Sequence, residues 1–592
     1  MFLHLFITMN VWGQNYEVFV DLENVSYDFK VEMIVPDYQY HTKTTYTLPI
    51  GSYGELGEVS LRDFVDDIEV FDKEGKALKF LYWKEHQIVI DNAEELHKIS
   101  YKVKDFKRLR QKYDLPTNGI MLERDELYLL YANFYLGYLN DLLDIPYDIK
   151  IRYPSTVFTT NPLAKAINER EDSYHLEDYA TLTRNPIFYA QLDTTSFIND
   201  GIRTHISVYS PNKLQTARNI EQIVYPIIGD FKDAVDSLAL PAYRFNFFFL
   251  PDKSNQQYGG FFHNESSFFL LPEEKNRYQQ IDEIQKLSAH ELMHTLCPYH
   301  LHSDLLENIQ YLNGGKMSQH LWMYEGVTEY LSLQMLVSNK RLNQKQFFNE
   351  WIKKIVLQKH FPDMSLIEAS ENIFQARYQK YFANFYHKGA LVAFLLDVRL
   401  QANTDGEKSM LWLIKELTNK YGSENSFQEN QLLEEMAVLG GDELRPIFDS
   451  YLFGKGKVPI NAYLEKVGYQ FYKNYDEKTG MYGMFKINPN VQERSFQFVQ
   501  VGRNELGLQE GDYLKSINGE TLDSYQQYLK LIPVLKKPIP TALITIEVER
   551  NGTLQTLSGE PFIFYNPLEN VIRPLEQTTE KQLLLRKALF GL

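Results

Sequence analysis

This sequence predicts a multidomain α+β protein with an N-terminal β-sandwich-like domain, a mostly α-helical middle domain and a strand-rich C-terminal module. Three observations lead there. Short alternating apolar segments broken by turns run from about residue 16 to 154. From about residue 220 the apolar period lengthens to that of an amphipathic helix. Alternation returns from 468 to about 562. At about 150 residues per domain, 592 residues make several cores without disulfide support. The divisions that result are 14–200, 201–456 and 468–562, with a C-terminal tail over 563–592.

Composition narrows the partners. Asp and Glu number 78 against 61 Lys and Arg, a net charge of −17 that disfavours nucleic acid. A hydrophobic share of 44% with 23% charged residues fits a folded globular chain and excludes wholesale disorder. Cys297 is the only cysteine, so no internal disulfide framework or thiolate metal cluster is available. No run of 18 apolar residues occurs, which argues against an integral membrane span.

Taken in order, residues 1–12 (MFLHLFITMNVW) form an apolar run too short to cross a bilayer. Followed by Gly13, it reads as a secretory signal over 1–13, which would make the protein periplasmic or secreted. If 1–13 is instead a buried first strand, the chain is cytoplasmic. Segments 16–20, 29–35, 88–90 and 149–151 read as strands of an antiparallel N-terminal domain. Helical periodicity covers 281–296, 322–336, 344–358 and 386–400. A short helix near 524–534 interrupts the last strand-rich stretch.

The chemistry concentrates at His290-Glu291-Leu292-Met293-His294, an HExxH motif inside a helical window. Four residues turn a helix by about 400°, so His290 and His294 leave one face a turn apart and can share a zinc ion. Glu291 lies about 100° further round, beside the open coordination position, where it can take a proton from water. With 14 His in the chain, chance would produce this motif in only about a few per hundred such sequences.

A catalytic zinc needs a third protein ligand. Two candidates are open. His300 has the spacing of the metzincin pattern HExxHxxGxxH, but that pattern needs a sharp turn at a glycine where this chain has Cys297 and Pro298. Glu325, in Trp322-Met323-Tyr324-Glu325-Gly326-Val327-Thr328-Glu329-Tyr330, follows a loop breaker at Asn313-Gly314-Gly315. A second helix crossing the first would bring Glu325 to the metal, and the pattern favours it. Glu329, one turn on, would then hydrogen-bond a ligand histidine from outside. His302 and His320 read as loop or supporting residues, and Cys297 as a small buried side chain. Tyr386, in Tyr386-His387-Lys388-Gly389 at the head of a helix, could donate to the oxyanion of a tetrahedral intermediate if it faces the metal.

The stretch Leu506-Gly507-Leu508-Gln509-Glu510-Gly511-Asp512-Tyr513-Leu514-Lys515-Ser516-Ile517-Asn518-Gly519 resembles the GLxxGDxIxxING stretch of PDZ domains. That resemblance implies a PDZ-like fold over 468–562 that takes a peptide C-terminus by strand addition, with residues 480–485 as a loose match to its carboxylate loop.

The order of a β-domain, HExxH, an EGxTEY glutamate, YxKG and a PDZ-like module resembles the glycyl aminopeptidase family of gluzincin zinc metallopeptidases. The resemblance implies a thermolysin-like catalytic domain and one zinc per chain held by His290, His294 and Glu325. It also implies Glu291 as general base and Tyr386 as stabiliser of the transition state. Two departures stand out. The basic WNxKRxRP segment that follows HExxH in many members is absent. The family's GGLEH-like strand, whose glutamate holds the substrate α-amine, corresponds to Gly259-Gly260-Phe261-Phe262-His263, with Phe262 in the glutamate's place. Gly259, Gly260 and Phe262 would border the substrate, and Glu265, three residues along, is the carboxylate that would take the place of the missing one.

The expected function is therefore zinc-dependent hydrolysis of peptide or protein substrates, glycyl-aminopeptidase-like but without the amine anchor. One rival is a non-catalytic peptide-binding scaffold that keeps the fold. Another is a metzincin-type endopeptidase using His300.

Overall fold

Alternating apolar residues in the first 190 positions build several sheets around one aromatic core. The computed structural model describes residues 14–591 apart from 24, 26, 39, 53–54, 57–59, 110–111, 113–118, 141, 237, 251–257, 275–276, 308–315 and 537–541. The signal expected over 1–13 and the loop breaker at 313–315 lie outside the described residues. The largest sheet runs, strand beside strand, Lys165–Asn168, Glu171–Leu176, Tyr147–Arg152, Tyr16–Asp21, Asp28–Ile34, Leu96–Lys104 and Val65–Asp72. It is not wholly antiparallel as expected, because Tyr16–Asp21 and Tyr147–Arg152 pair in parallel. A four-stranded sheet (Tyr138–Leu139, Lys43–Thr47, Gln87–Asp91, Phe80–Tyr82) and a three-stranded one (Ile120–Glu123, Leu127–Leu130, Ile187–Ala190) complete the domain.

The wealth of tyrosine has a physical use here. Buried phenols need partners, and several find them on one loop. Tyr101 donates to the Tyr135 carbonyl at 2.7 Å, Tyr147 to Gly137 at 3.0 Å and Tyr179 to Leu136 at 2.7 Å. Gly137 permits this close approach, since a Cβ there would sit 2.1 Å from the Thr47 carbonyl oxygen.

The next domain opens with a sheet that helical periodicity did not reveal. Its strands lie in the order Asp193–Asn199, Ile202–Tyr209, Ala242–Leu250, Ser266–Pro272 and Gly259–His263. The three central strands are parallel and the two outer pairings antiparallel. Phe245, Phe247, Phe248 and Phe249 are all buried. A strand covered on both faces loses its alternation and reads as a continuous apolar run, which hides it from a period search. Among the helices that follow are Arg277–Met293, Thr328–Ser338, Gln344–Leu357 and Ala390–Asn403.

Residues Tyr469–Glu576 form a separate unit, and the chain then returns to the first one. The unit is entered and left through a two-stranded ribbon, Tyr469–Met481 against Phe562–Pro574. Beyond it, strands Gly483–Asn490, Ser495–Asn504, Tyr513–Ile517, Ile544–Arg550 and Thr553–Gly559 form a sheet with Glu520–Thr521 at its side. Helix Tyr525–Lys536 shares a core with this sheet, where Phe496 stacks on Tyr528 at 4.8 Å.

Residues 563–592 are therefore not a tail. Their first part closes the ribbon, and their second part is helix Glu580–Phe590, started by a Thr579/Gln582 capping box. Leu589 and Phe590 are buried in the first unit, with the Phe590 ring 5.0 Å from Phe347 and 6.2 Å from Phe394. The Leu589 carbonyl accepts from Gln334 at 3.1 Å. Truncating an aromatic in such a core costs about 3–5 kcal/mol. Phe590→Ala should accordingly lower the melting temperature of the first unit, as read by calorimetry. An unchanged transition would show that the helix is not part of that core.

Candidate active site

The helix Arg277–Met293, which carries His290 and Glu291, ends where Pro298 can no longer supply an amide hydrogen. Cys297 leaves helical geometry there (φ −145°, ψ 114°), and its carbonyl swings back toward the site. That oxygen accepts from His294 Nδ1 at 3.0 Å and from Thr328 Oγ1 at 3.3 Å. The helix break thus fixes the His294 ring with Nε2 free for a ligand role.

His290 is fixed from the other side. Its Nδ1 lies 2.8 Å from Glu329 Oε2, and Glu329 also pairs with the buried Lys354. Burial would raise the Glu329 carboxyl, but Lys354 and His290 outweigh it and hold it well below the usual range. A permanent anion there keeps the proton on His290 Nδ1 and leaves Nε2 as the inward-facing atom. Nothing in the sequence around Lys354 advertised this part.

Between the two rings stands Glu325. Its Oε2 is 3.6 Å from His290 Nε2 and 3.8 Å from His294 Nε2. Ligand atoms from His290, His294 and Glu325 all lie within 4.8 Å of one another, and all three residues are buried. His290 Nε2 and Glu325 Oε2 have no hydrogen-bond partner among the described residues. Buried orphans of this kind cost free energy unless something else satisfies them. Two imidazole nitrogens and one carboxylate form a donor set that suits zinc with a position left open. The residues present therefore fit the ion that the sequence implied.

Glycines set where Glu325 stands. Segments Trp322–Val327 and Phe385–Gly389 each form a single wide π-helical turn. They cross backbone to backbone. A Cβ on Gly326 would lie 2.5 Å from the Gly389 carbonyl carbon, and one on Gly389 would lie 3.1 Å from Gly326 Cα. Only glycine allows that approach. The same crossing brings Tyr386 to the site, with its ring 5.6 Å from the His290 ring. Burial alone would raise the Glu325 carboxyl, but His290, His294 and the Tyr386 hydroxyl together lower it.

Glu291 faces the edge strand Gly259–His263. A Cβ on Gly260 would sit 2.6 Å from Glu291 Oε1 and 2.9 Å from its carboxyl carbon. The carboxyl thus occupies the space a side chain would take. Burial raises it to about 8, with His290 opposing and Glu325 reinforcing the shift. A carboxyl whose affinity for protons is brought toward neutrality is suited to take one up and give it back.

The remaining residues fall around this core. Phe262 packs on both His294 and Tyr299, each ring pair 5.8 Å apart. Gly259 lies on the same strand, and Glu265 lies just past the strand's end, half-buried and close enough for its charge to add to the burial that raises Tyr299 and to oppose the burial that lowers His300. His300 is not in the metal cluster; its Nδ1 is engaged with the Thr295 carbonyl at 2.6 Å. His320 is buried against the Glu429 carbonyl, and Cys297 is buried with its thiol toward the Leu301 carbonyl.

Two family models and several solved structures are similar to this chain. The model for M61 glycyl aminopeptidases matches residues 283–392, and the peptidase M61 N-terminal domain model matches 17–191. An aminopeptidase N family protein from Idiomarina loihiensis has a similar fold, with a TM-score of 0.67 at 17% identity over 97% of this chain and all of that one. An M1 zinc metallopeptidase from Deinococcus radiodurans matches at 0.44 and 13% identity, over 76% of this chain and 95% of that one. Leukotriene A4 hydrolase from Saccharomyces cerevisiae matches at 0.46 and 13% identity, over 77% of this chain and 70% of that one. No curated protein matches the sequence.

The contact at Gly260 makes a checkable demand. Gly260→Ala must displace the Glu291 carboxylate by a fraction of an ångström or more, while the metal cluster is untouched. Peptide turnover should fall about 10- to 100-fold with zinc content unchanged. A variant with full activity would show that Glu291 does not work from this position.

Proposed function

The chain belongs to the M61 glycyl aminopeptidase family, and from that premise we propose that it is a zinc-dependent peptidase with its catalytic centre at His290, His294, Glu325, Glu291 and Tyr386. The observation that carries the reading is the buried cluster of two imidazoles and one carboxylate with unsatisfied inward atoms. A zinc ion held there by His290, His294 and Glu325 would supply Lewis acidity and an open coordination position. Glu291 takes the proton from the attacking water and returns it to the leaving amine. Tyr386 donates its hydroxyl to the oxyanion as charge develops on the scissile carbonyl. Glu329 and Lys354 hold His290, and the Cys297 carbonyl holds His294, so neither ring need reorient during the reaction.

The reading of the substrate side rests on Phe262. An α-ammonium bound beside the scissile bond calls for a carboxylate, through charge-assisted hydrogen bonds. The ring at this place on the edge strand supplies none, and it packs on His294 and Tyr299 instead. Substrates whose chain continues past the cleaved residue, or whose amine is blocked, suit this surface better than free N-termini. Glu265, beyond the end of the strand, is the alternative anchor.

The C-terminal unit is read as PDZ-like. Strand Gly483–Asn490 is at the edge of its sheet, and helix Tyr525–Lys536 shares the core beneath it. In the GLxxGD stretch, the Arg550 guanidinium grips Asp512 through two bonds of 2.8 and 2.7 Å, and Asp512 accepts from the Gln509 amide at 2.9 Å. These contacts support a turn that leads into strand Tyr513–Ile517. An extended peptide C-terminus added to the free edge is the ligand this reading implies.

Two experiments test the whole. Elemental analysis should find one zinc per chain, lost in Glu325→Ala and kept in His300→Ala; the reverse pattern would place the third ligand at His300. Glu291→Gln should keep the metal and lose at least about two orders of magnitude of peptide turnover. A Glu291→Gln protein as active as the parent would instead favour the scaffold. For the substrate side, kcat/KM is compared for one peptide, free and N-acetylated. The parent should prefer the blocked form, and Phe262→Glu should shift preference toward the free amine by about 1.5–3 kcal/mol. A parent that strongly prefers the free amine would point to Glu265.

A further inference from the structure

Within reach of the charge on Glu291 stands Tyr131, one of a second pair of buried polar groups that the reaction as described does not use. Tyr131 follows strand Leu127–Leu130 of the N-terminal domain and packs across the edge strand of the catalytic sheet. Its ring is 5.4 Å from that of His263 and 6.4 Å from that of Phe261. It is 1% exposed, and its hydroxyl has no hydrogen-bond partner among the described residues. Nor has His263 Nε2. Burial holds the His263 ring down to about 3, so it is neutral. The Tyr131 phenol is raised by its own burial and then by the charge on Glu291, which places it within electrostatic reach of the general base.

A phenol and an imidazole buried side by side without partners cost stability, since each has lost its water and gained nothing. Tyr131 lacks the exit that Tyr101, Tyr147 and Tyr179 have, whose hydroxyls all end on backbone carbonyls. Access to the pair is no special obstacle. Glu291 Oε2 and His290 Nε2 are equally covered and equally unpartnered, and the reaction must reach both.

We propose that Tyr131, with His263 behind it, is a substrate-positioning residue that hydrogen-bonds a neutral backbone amide of the peptide on the N-terminal side of the scissile bond. The class of ligand follows from charge. The pair is neutral and the site's nearest carboxylate, Glu291, is committed to proton transfer. An ammonium placed there would stay uncompensated, whereas an amide has both a donor and an acceptor to offer. The inference rests on the peptidase reading and extends it, by giving this site a means to hold chains that continue past the cleaved residue.

Tyr131→Phe keeps the ring and removes only the hydroxyl. Because the lost group is unsatisfied in the free protein, the melting temperature should stay level or rise, and zinc content should not change. Binding is measured directly in zinc-loaded Glu291→Gln protein, with and without Tyr131→Phe, using an N-acetylated peptide and a short peptide whose first residue is the one cleaved off. The dissociation constant for the acetylated peptide should weaken about tenfold, and that for the free-amine peptide should hardly move. Equal affinity for the acetylated peptide in both proteins overturns the proposal. So does an equal loss on both peptides, or a lowered melting temperature, since either assigns the hydroxyl a role inside the protein. Turnover by the parent is scored separately, so failure of the peptidase reading is distinguishable from failure of this one.

Discussion

One contact sets the geometry of the rest: the backbone of Gly326 against the backbone of Gly389. Neither residue carries chemistry. Each stands next to or near one that does, Glu325 on one strap and Tyr386 three residues before the other glycine. A side chain at Gly326 would push the straps apart, because its Cβ would lie 2.5 Å from the Gly389 carbonyl carbon, closer than two non-bonded carbons can approach. Glu325 would then leave the two imidazoles and Tyr386 would leave Glu325. The centre is therefore held from behind by an absence of atoms, and each turn widens locally to let the backbones meet.

A second constraint acts on protons. Lys354, Glu329 and His290 form a buried line that ends at the metal cluster, and Cys297, through its carbonyl, does the same for His294 with a neutral group. One histidine is oriented by an ion and the other by a dipole. The two rings thus differ in basicity before any metal arrives, which gives the pair an internal asymmetry. Burial pushes His294 down to about 4, whereas the two carboxylates hold His290 up against burial.

How much of this was legible depended on whether the information was local. His290 and His294 are a helical turn apart in covalent sequence, so their convergence followed from period alone. Glu325 and Tyr386 came into view through the motifs that surround them. The Gly326–Gly389 contact, the reach of Lys354 to Glu329 and the place of Tyr131 at the edge strand are all long-range, and no local pattern encodes them. Strands Ala242–Leu250 and Ser266–Pro272 escaped because burial on both faces erased their alternation. The segment after 562 read as a tail because its strand pairs with residues some ninety positions earlier, and its helix packs on residues further back still. The turn into strand Tyr513–Ile517, by contrast, was announced locally by Gly511 and Asp512.

The return of the chain through helix Glu580–Phe590 has a consequence for the order of events during synthesis. The first unit receives Leu589 and Phe590 only after all of Tyr469–Glu576 has been made. A nascent chain that has already emerged with His290, Glu325 and Tyr386 still lacks the last layer of packing against Phe347 and Phe394. The last piece of the first unit's core is thus encoded after the inserted unit. A chain that stops before residue 577 therefore lacks the layer that Leu589 and Phe590 add to the core of the first unit.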